Sequence, residues 1–257
     1  MVAADSAGTP WAGRHFDQNA FAGDDGSADA RLLSALHQFQ SASPIGSLSP
    51  VGVIDALRSS RLLIPLVATL GEPGLSASGL AVDKSAELAI VMVAGPDGRN
   101  VLPVFSSVAA MGRWNPRARP VPVDAVRVGL AAASENTELV ILDPGSPTAF
   151  AVRRPAIWAI AQQEPWTPSF EDPDVAVEFA RIAASESAVL EISVLNGDPA
   201  SVLAGPEIIV VFTLTAGLDR VALATVTSSL QQRCAASTLI TARVDSLGLR
   251  LRAIAVG

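Results

Sequence analysis

The chain has very few of the side chains on which most catalytic and metal-binding sites depend. Its 257 residues include one cysteine, Cys234, two histidines, His15 and His37, and no tyrosine. A single cysteine excludes an internal disulfide framework and a metal site built from several thiolates. Aromatic residues make up only 5% of the chain, too small a share for a broad platform on which nucleic-acid bases could stack.

Positive charge is also scarce. Lys84 is the only lysine, and the formal net charge is −7. Nucleic acids and anionic membranes repel a chain of this charge at long range, so we predict neither as a partner. RNA binding through the arginines from Arg113 to Arg127 is for the same reason the weakest functional alternative.

Long apolar segments are missing as well. The runs RLLIPLVATL and IIVVF are too short to cross a bilayer. The opening stretch MVAADSAGTPWAGRHFDQNAF has no basic residue before Arg14 and no apolar core, so we do not expect a secretory signal. The Arg153–Arg154 pair lies in the middle of the chain, where it cannot act as a twin-arginine export signal. We therefore expect a cytoplasmic protein that does not bind membranes.

The few candidate nucleophiles and bases have simpler structural explanations. Cys234 falls on the apolar side of a predicted helix, where a free cysteine usually packs in the core. His37 flanks the apolar stripe of the first predicted helix, and His15 lies in the N-terminal arm. Nothing in the sequence places either histidine near Cys234, so we do not predict a Cys/His catalytic pair.

Two short motifs are similar to ligand-binding loops but fail their patterns. AGDDGSAD, with Asp24, Asp25 and Asp29, lacks the alternating oxygen ligands and the closing glutamate of a calcium loop, and helix initiation explains it better. GLSASG precedes Lys84, but a phosphate loop needs its lysine directly after the second glycine. We therefore expect no metal and no cofactor.

Apolar periodicity and turn residues predict an α/β protein of the mixed α+β class with two domains. We expect an extended arm over 1–27, a first domain over 28–165 and a second over 170–257. The proline-rich segment QQEPWTPSFEDPD marks the boundary between the two domains.

The predicted first domain combines a mixed sheet, hairpins and helices. Ser27 can cap a helix that runs to Gln40, and Ser49 followed by Pro50 can start a shorter one. RLLIPLVA is typical of a strand, which Pro65 places at a sheet edge. ELAIVMVAGPDGRNVLPVF and ELVILDPGSPTAFAV are typical of hairpins, and helices are expected near 123–133 and 154–163.

The predicted second domain is a compact α-β-β-α-β unit with helices over one sheet face. Its first helix begins at Asp172-Pro173, and its last runs from Leu218 to about Ala236, with Leu223, Val226, Leu230 and Cys234 along one line. In AVLEISVL, Leu190, Ile192 and Val194 alternate with polar residues, which indicates a half-buried strand. EIIVVFTLT is typical of a central strand, and SLGLRLRAIAV is expected to bury Leu247, Leu249 and Leu251 and to turn Arg250 and Arg252 outward.

The stretch PVFSSVAAMGRWNPRARP contains the first candidate binding surface. Ser106 or Ser107 can cap a short helix there, and Asn115-Pro116 ends it. Arg113 then complements the last carbonyls of the helix, Trp114 covers its end, and Arg117 and Arg119 lie on a solvated loop. The alternative is a small basic patch, Arg113, Trp114, Arg117 and Arg119, that binds an acidic partner.

Arg250 and Arg252 form the second candidate surface. They can pair with Glu191 across the polar sheet face, a contribution of roughly 0.2–1 kcal/mol. Alternatively, this face docks a partner or another copy of the chain.

Taken together, these segments resemble the bacterial SseB family, named for enhanced serine sensitivity. The resemblance rests on GRHFDQNAFAGDDGSADARLLSAL, RLLIPLVA, DKSAELAIVMVAGPDGRNVLPVFSSVAAMGRWNPRARPVPV, ELVILDPGSPTAFAVRRPAIWAIAQ and DSLGLRLRAIA. It implies an SseB-type N-terminal domain over about the first 165 residues and a family C-terminal domain after it. It implies no particular reaction.

The sequence therefore favours a non-catalytic protein-interaction or regulatory module over an enzyme. We expect a protein partner, of unknown identity, bound near Trp114 and at the C-terminal sheet, with a homo-oligomer as an open possibility. The alternative is an enzyme or small-molecule sensor that uses an inter-domain pocket of arginines and carboxylates. Arg153, Arg154 and Asp143, which flank the second hairpin, are the first residues to consider for that pocket.

Overall fold

The computed structural model of the chain describes residues 21, 23–42, 48–70 and 86–253. These residues form eight helices and ten strands in three sheets, which confirms the mixed α+β class. The elements before the proline-rich segment are α1 (Ala30–Ser41), α2 (Val51–Arg58), β1 (Leu62–Leu70), β2 (Ala86–Ile90), β3 (Val93–Ala94), β4 (Asn100–Val104), α3 (Val108–Trp114), β5 (Arg119–Val123), α4 (Ala125–Ser134), β6 (Val140–Leu142), β7 (Phe150–Val152) and α5 (Arg154–Ala161). Those after it are α6 (Pro173–Ala184), β8 (Val189–Asn196), β9 (Ile208–Leu214), α7 (Arg220–Ala236), α8 (Thr238–Arg243) and β10 (Leu247–Ala253).

Two large apolar cores lie on either side of residues 162–172. We call the described residues before this segment the N-terminal unit and those from 173 onward the C-terminal unit. The division into two domains stays a prediction. Most of the expected N-terminal arm, with His15, and the loop from GLSASG to Lys84 lie outside the described residues. Within the described residues, each helix is too short or too polar to cross a bilayer.

The N-terminal unit packs four helices against two small sheets. The strand orders are β2-β1-β5 and β3-β4-β6-β7, and a bridge between Leu63 and Phe105 joins the two sheets. α1, α2, α4 and α5 bury their apolar sides in one core with these strands. Both predicted hairpin turns are present, because β3 pairs with β4 and β6 pairs with β7 in antiparallel fashion.

Pro65 does not lie on an edge strand, so that prediction was wrong. β1 is the middle strand of its sheet, with β5 on one side and β2 on the other. Leu63 exchanges backbone hydrogen bonds with Phe105, and the pairing with β2 starts only at Leu66. By strand alternation the nitrogen of Pro65 faces the gap between these two contacts. A central strand tolerates proline at this position because no partner strand needs a hydrogen bond from its backbone nitrogen.

Three other boundaries in the N-terminal unit differ from the prediction. Asp29, not Ser27, caps α1, because its carboxylate accepts hydrogen bonds from the Arg31 and Leu32 amides. ELAIVMVA divides into β2 and β3, which belong to different sheets. Arg119 starts β5 instead of lying on a loop. The last two features depend on which distant strands are available as partners, so local patterns do not reveal them.

The C-terminal unit is a three-stranded sheet in the order β10-β9-β8 with helices on one face. β9 is the central strand, as predicted. It pairs in parallel with β10 and in antiparallel with β8. A short extra helix, α8, follows α7 and begins at the cap residue Ser237.

Three apolar residues of the C-terminal unit, Leu190, Leu223 and Leu251, lie outside the core in which we expected them, and Leu251 is 36% exposed on β10. Leu190 is 53% exposed, because the register between β8 and β9 shifts by one residue at this position. An extra residue in a strand breaks the alternation that the sequence predicts. Leu223 is 39% exposed, whereas Val226, Leu230 and Cys234 are buried as expected.

Candidate functional site

The first candidate surface lies on α3 and the start of β5. Ser107 caps α3, since its Oγ accepts a hydrogen bond from the Ala110 amide at 3.1 Å. Asn115 ends the helix, and its side-chain oxygen accepts a hydrogen bond from the Arg117 amide at 3.0 Å. Trp114 is half-buried against Phe105, with ring centroids 5.2 Å apart. The sequence therefore located the cap, the stop and the partly structural role of the tryptophan correctly.

The arginines of this surface are exposed and uncompensated. Arg113, Arg117 and Arg119 lie within seven positions of one another, and within the described part of the chain none forms a salt bridge. Most arginines elsewhere are paired; Arg181, for example, lies 2.7 Å from Glu178. We call Arg113, Trp114, Arg117 and Arg119 the arginine surface. It concentrates positive charge on a chain whose net charge is −7.

The second candidate surface is the open face of the C-terminal sheet. Arg250 and Arg252 are both exposed and share this face with Glu191. Arg252 Nη2 lies 3.5 Å from a Glu191 oxygen and 3.1 Å from Thr213 Oγ1, so the expected cross-sheet pair forms for this arginine. Arg250 has no ion-pair partner among the described residues. An exposed pair of this kind contributes little to stability.

A third site lies between the two units and is centred on Arg153. This residue is 7% exposed and follows β7 directly. Its Nη2 donates to Asp198 at 2.6 Å and to the Gly205 carbonyl at 2.9 Å. Its Nη1 donates to Asp245 at 3.0 Å and to Ser246 Oγ at 3.2 Å. A side chain of the N-terminal unit is thus held by four groups of the C-terminal unit.

Asp198 organises the loop that brings these groups to Arg153. Its carboxylate also accepts backbone hydrogen bonds from Val202, Leu203 and Ala204. Leu203 from the same loop is buried in a small apolar cluster with residues of β4, β6 and β7. The loop therefore covers the side of the N-terminal sheet that faces away from the helices.

Two glycines allow the Asp198 loop to fold this tightly. A Cβ atom at Gly205 would lie 2.5 Å from the carbonyl oxygen of Gly197, and one at Gly197 would lie 2.3 Å from the carbonyl oxygen of Pro206. Both distances are shorter than any real Cβ contact. The backbone approach that presents the Gly205 carbonyl to Arg153 therefore requires glycine at both positions.

Asp245 receives a second arginine from the N-terminal unit. Arg99, in the first hairpin, donates to both of its oxygens, at 3.0 and 2.9 Å, and also to Asp97 at 2.7 Å. Burial opposes the charge on Asp245, but the hydrogen bonds and charge of Arg99, and then those of Arg153, outweigh burial and lower its pKa. The Asp245 carboxylate is therefore ionised and fully paired.

Glu207 is a buried acid of this region whose protonated form is favoured. It is 5% exposed and accepts hydrogen bonds from Ser169 Oγ at 2.7 Å and from the Asp245 amide at 2.5 Å. Burial raises the pKa of Glu207 because the charged form loses contact with water. We call Arg99, Arg153, Asp198, Glu207 and Asp245 the inter-unit cluster.

A small cavity adjoins the inter-unit cluster. It encloses about 30 Å³, which is room for one or two water molecules. Its lining is partly charged and partly apolar, and comprises Arg153, Asp198 and Glu207 together with Ile54, Phe150 and Trp166. The hydrogen bonds of Arg153 are already satisfied by protein groups, so this cavity offers a ligand few free donors.

The structure separates the three residues that the sequence grouped into a pocket. Arg154 donates to the carbonyls of Thr241 and Val244 and stacks over Trp158. Asp143 is buried inside the N-terminal unit, where it accepts hydrogen bonds from the Ser106 amide and hydroxyl at 2.8 and 2.7 Å. Only Arg153 belongs to the inter-unit cluster.

Sequence reasoning missed the other members of the inter-unit cluster. Arg99 stands directly after a turn, and Asp198, Glu207 and Asp245 stand next to strands, where charged residues are common. Their one distinctive signal is the pair of glycines around Asp198, Gly197 and Gly205, since glycine often marks a close approach of two backbone segments. The pairing itself depends on how the two units meet.

The remaining candidates for catalysis have structural explanations. Cys234 is buried, and burial raises the pKa of its thiol to about 11, so it is protonated at neutral pH. His37 is exposed on α1. Asp24 pairs with Arg61 at 3.0 Å, and Asp25 binds Ser27. Over the described ranges, no three His, Cys, Asp or Glu side chains are grouped in a way that could hold a metal ion.

Comparison with known proteins identifies the first half of the chain. Residues 32–159 match the SseB protein N-terminal domain. No curated protein and no solved structure gives a significant match. The matched range includes the arginine surface, Arg99 and Arg153, and it ends within α5. A family C-terminal domain stays a prediction. The chain belongs to the SseB family through this N-terminal domain, as its sequence resemblance predicted.

Proposed function

We propose that this SseB-family chain is a non-catalytic, cytoplasmic interaction or regulatory module that binds an acidic protein partner through the arginine surface. One contrast supports the proposal. The two arginines of the inter-unit cluster, buried Arg153 and partly exposed Arg99, are both paired with carboxylates. Arg113, Arg117 and Arg119 are exposed without a carboxylate partner among the described residues. Uncompensated arginines next to a half-exposed tryptophan are typical of interaction hot spots.

The inter-unit cluster gives this module a fixed arrangement of its two units. Arg153 alone makes four hydrogen bonds across the contact, and Arg99 adds a bidentate pair with Asp245. Buried pairs of this kind are costly to break singly, because the remaining charge is left without a partner. The arginine surface itself lies within the N-terminal unit, on α3 and the start of β5, so a partner would meet residues held largely by regular secondary structure, which lowers the entropic cost of binding.

The proposal is tested by affinity capture from native lysate followed by quantitative mass spectrometry. The triple variant R113A/R117A/R119A leaves Trp114 and the core intact. The matched control R31A/R127A/R220A removes the same charge from exposed arginines elsewhere. We expect a stoichiometric partner with the wild type and the control, and at least about a tenfold loss with the first triple variant, since clustered arginines dominate such contacts.

Binding to an acidic partner also predicts that added salt weakens the complex, because exposed charges are screened. The proposal fails if no stoichiometric partner is captured. It also fails if both triple variants retain a partner equally, or if binding does not change between low and high salt.

A small-molecule sensor or enzyme at the inter-unit cluster is the second candidate. One observation favours this second candidate: Glu207, whose pKa is raised, lines the cavity. Acids with a shifted pKa in a cavity are frequent at functional sites. The cavity is small, and Arg153 already donates its hydrogen bonds to protein groups. Both facts favour the interaction module over a sensor or enzyme. A substrate turnover that is lost in E207Q would reverse this order.

A further inference from the structure

The outer edge of the C-terminal sheet has unpaired backbone groups. β8 is the last strand in the order β10-β9-β8, and no described strand lies beyond it. The Gly197 amide donates to Glu207, and the Thr215 amide donates to Ala188. Antiparallel strands alternate, so the backbone groups of Ile192, Val194 and Asn196 must point away from β9. This edge presents a row of free donors and acceptors.

Apart from the register shift near its start, the β8 edge lacks the features that usually protect an edge strand. Such strands commonly carry proline, lysine or several charges. β5, an edge strand of the N-terminal unit, contains Pro120 and Pro122, and β10 carries two arginines. β8 contains no proline and no lysine, and Glu191 is its one charged residue. Its apolar residues Leu190 and Leu195 are 53% and 46% exposed.

An uncharged flank of α6 stands beside this edge. α6 packs on β8, and Glu178 on one side of the helix accepts a hydrogen bond from Ser237 of the α8 cap at 2.6 Å. With about 100° between successive residues, Ala176 and Ala180 lie about 160° from Glu178 around the helix, and Ala184 lies about 120° from it. They are exposed, and Val177 next to them is 68% exposed. The flank that faces away from α8, towards the β8 edge, is therefore small, apolar and uncharged.

We propose that the β8 edge and the alanine flank of α6 form a symmetric dimer interface with a second copy of this chain. The two β8 strands pair in antiparallel fashion and join the sheets into one of six strands. Residues directly opposite each other must share a sheet face. Placing Ser193 opposite Ser193 satisfies this rule, sets Ile192 opposite Val194, and moves the register shift at Leu190 to the end of the pairing.

The surface is complementary to itself, which is the argument for a second copy over another partner. In this register Glu191 faces Leu195 of the other copy, so no like charges are opposed. The alanine flanks of the two α6 helices meet across the same axis, as an isologous contact requires. Two chains with a net charge of −7 repel each other, and this nearly neutral patch places no like charges in contact. An extended peptide would cover β8 but leave the α6 flank exposed.

The dimensions predict a reversible dimer. Eight strand residues extend about 27 Å, and one sheet layer plus one helix layer is about 20 Å deep. The contact thus buries about 500 Å² on each chain, or about 1,000 Å² in total, near the lower limit of specific interfaces. We expect dissociation in the micromolar range.

Sedimentation equilibrium of the full chain over a wide concentration range tests the proposal. A180E puts a carboxylate and extra bulk on the flank and should raise the dimer dissociation constant at least about tenfold, since like charges opposed at an interface are costly. The matched control A224E introduces the same change on an exposed alanine of α7 and should leave the constant unchanged. Circular dichroism confirms that both variants fold.

A disulfide tests the register separately. S193C places two thiols opposite each other at the two-fold axis, in a pair that is not hydrogen-bonded, where their Cβ atoms are about 4.5–5.5 Å apart. Mild oxidation should cross-link S193C into dimers but leave the exposed control S228C largely monomeric. A wild-type chain that stays monomeric at all concentrations overturns the proposal, as does equal behaviour of A180E and A224E or of S193C and S228C.

Discussion

At the scale of single residues, the molecule uses its arginines in two different ways. Arg153 is buried, and protein groups satisfy it on both sides of its guanidinium. Arg113 is exposed at the end of a helix and has no carboxylate partner among the described residues. The first is a structural link between the two units, and the second is available to bind an external group.

Glu207 provides the residue-scale prediction. Its raised pKa means that the folded chain holds the proton more tightly than the unfolded chain does. Its contribution to stability is therefore fully present at low pH and is lost as pH rises from the usual glutamate value through the raised one. Glutamine at this position can still accept from the Asp245 amide and donate to Ser169. We expect E207Q to gain stability relative to the wild type as pH rises above about 4.5.

Urea denaturation of both proteins between about pH 4.5 and pH 8 measures this difference. The pKa of Asp245 is lowered in the folded chain, so above its usual value of 3.8 this carboxyl is ionised in both the folded and the unfolded chain. Asp245 therefore does not contribute to the pH dependence of stability in this range. The exposed variant E135Q is the control and should show no such trend. A stability difference between E207Q and the wild type that is independent of pH contradicts the prediction.

At the scale of elements, α8 shows how one cap connects two helices. Ser237 Oγ accepts a hydrogen bond from the Ile240 amide and donates one to Glu178 of α6. The hydrogen bonds of Arg181 and then of Ser237 lower the pKa of Glu178 to about 2. The cap thus fixes the side of α6 that lies opposite the alanine flank.

We expect S237A to lose about 1 kcal/mol of unfolding free energy at neutral pH, the usual cost of removing a helix cap. The folded-state pKa of Glu178 is depressed, so its stabilisation is present above the usual value of 4.5 and is lost as pH falls towards about 2. The difference between S237A and the wild type should therefore shrink in acid. Urea denaturation at pH 7 and at about pH 2, the folded-state pKa of Glu178, checks this, with the exposed variant S228A as control. A difference that is undiminished at about pH 2 would argue against the coupling.

Elements also show where sequence patterns stop being informative. The Asp124 cap of α4, the hairpin turn at Asp97 and the central position of β9 all follow from local signals, and the sequence predicted a helix, a turn and a central strand there. The prediction for Pro65 was wrong because its nitrogen, which carries no hydrogen, faces the gap between Phe105 and β2, where no hydrogen-bond donor is needed. The prediction for Leu190 was wrong because the register shift that exposes this side chain arises in the pairing of β8 with β9.

At the scale of the whole molecule, the contact between the two units is ionic and polar at its centre. Arg99 and Arg153 of the N-terminal unit meet Asp198 and Asp245 of the C-terminal unit. Removing one partner leaves buried charge without compensation, which costs about 3–5 kcal/mol. We therefore expect the wild-type chain to unfold in one cooperative transition and R153M to unfold in two, because the units lose their coupling.

Differential scanning calorimetry distinguishes these cases. In R153M the calorimetric enthalpy should exceed the van't Hoff enthalpy, the mark of a transition that is not two-state. R58M is the matched control, since Arg58 is also largely buried but bonds only within the N-terminal unit, to Ala159 and Asp55. It should lower the transition temperature without splitting the transition. A single transition in R153M would show that Arg153 does not couple the units.

The sequence by itself determined the family, the mixed α+β class and most of the helices and strands, because these depend on side-chain periodicity and on residues such as Asp29 and Pro116 that act on their own backbone. It also located the exposed arginines near Trp114. Only the tertiary structure decided that Arg153 pairs with Asp198 and Asp245 and that β8 ends the sheet. Those contacts join residues far apart in the chain, and no local preference specifies which distant group a buried charge or an unpaired strand will meet.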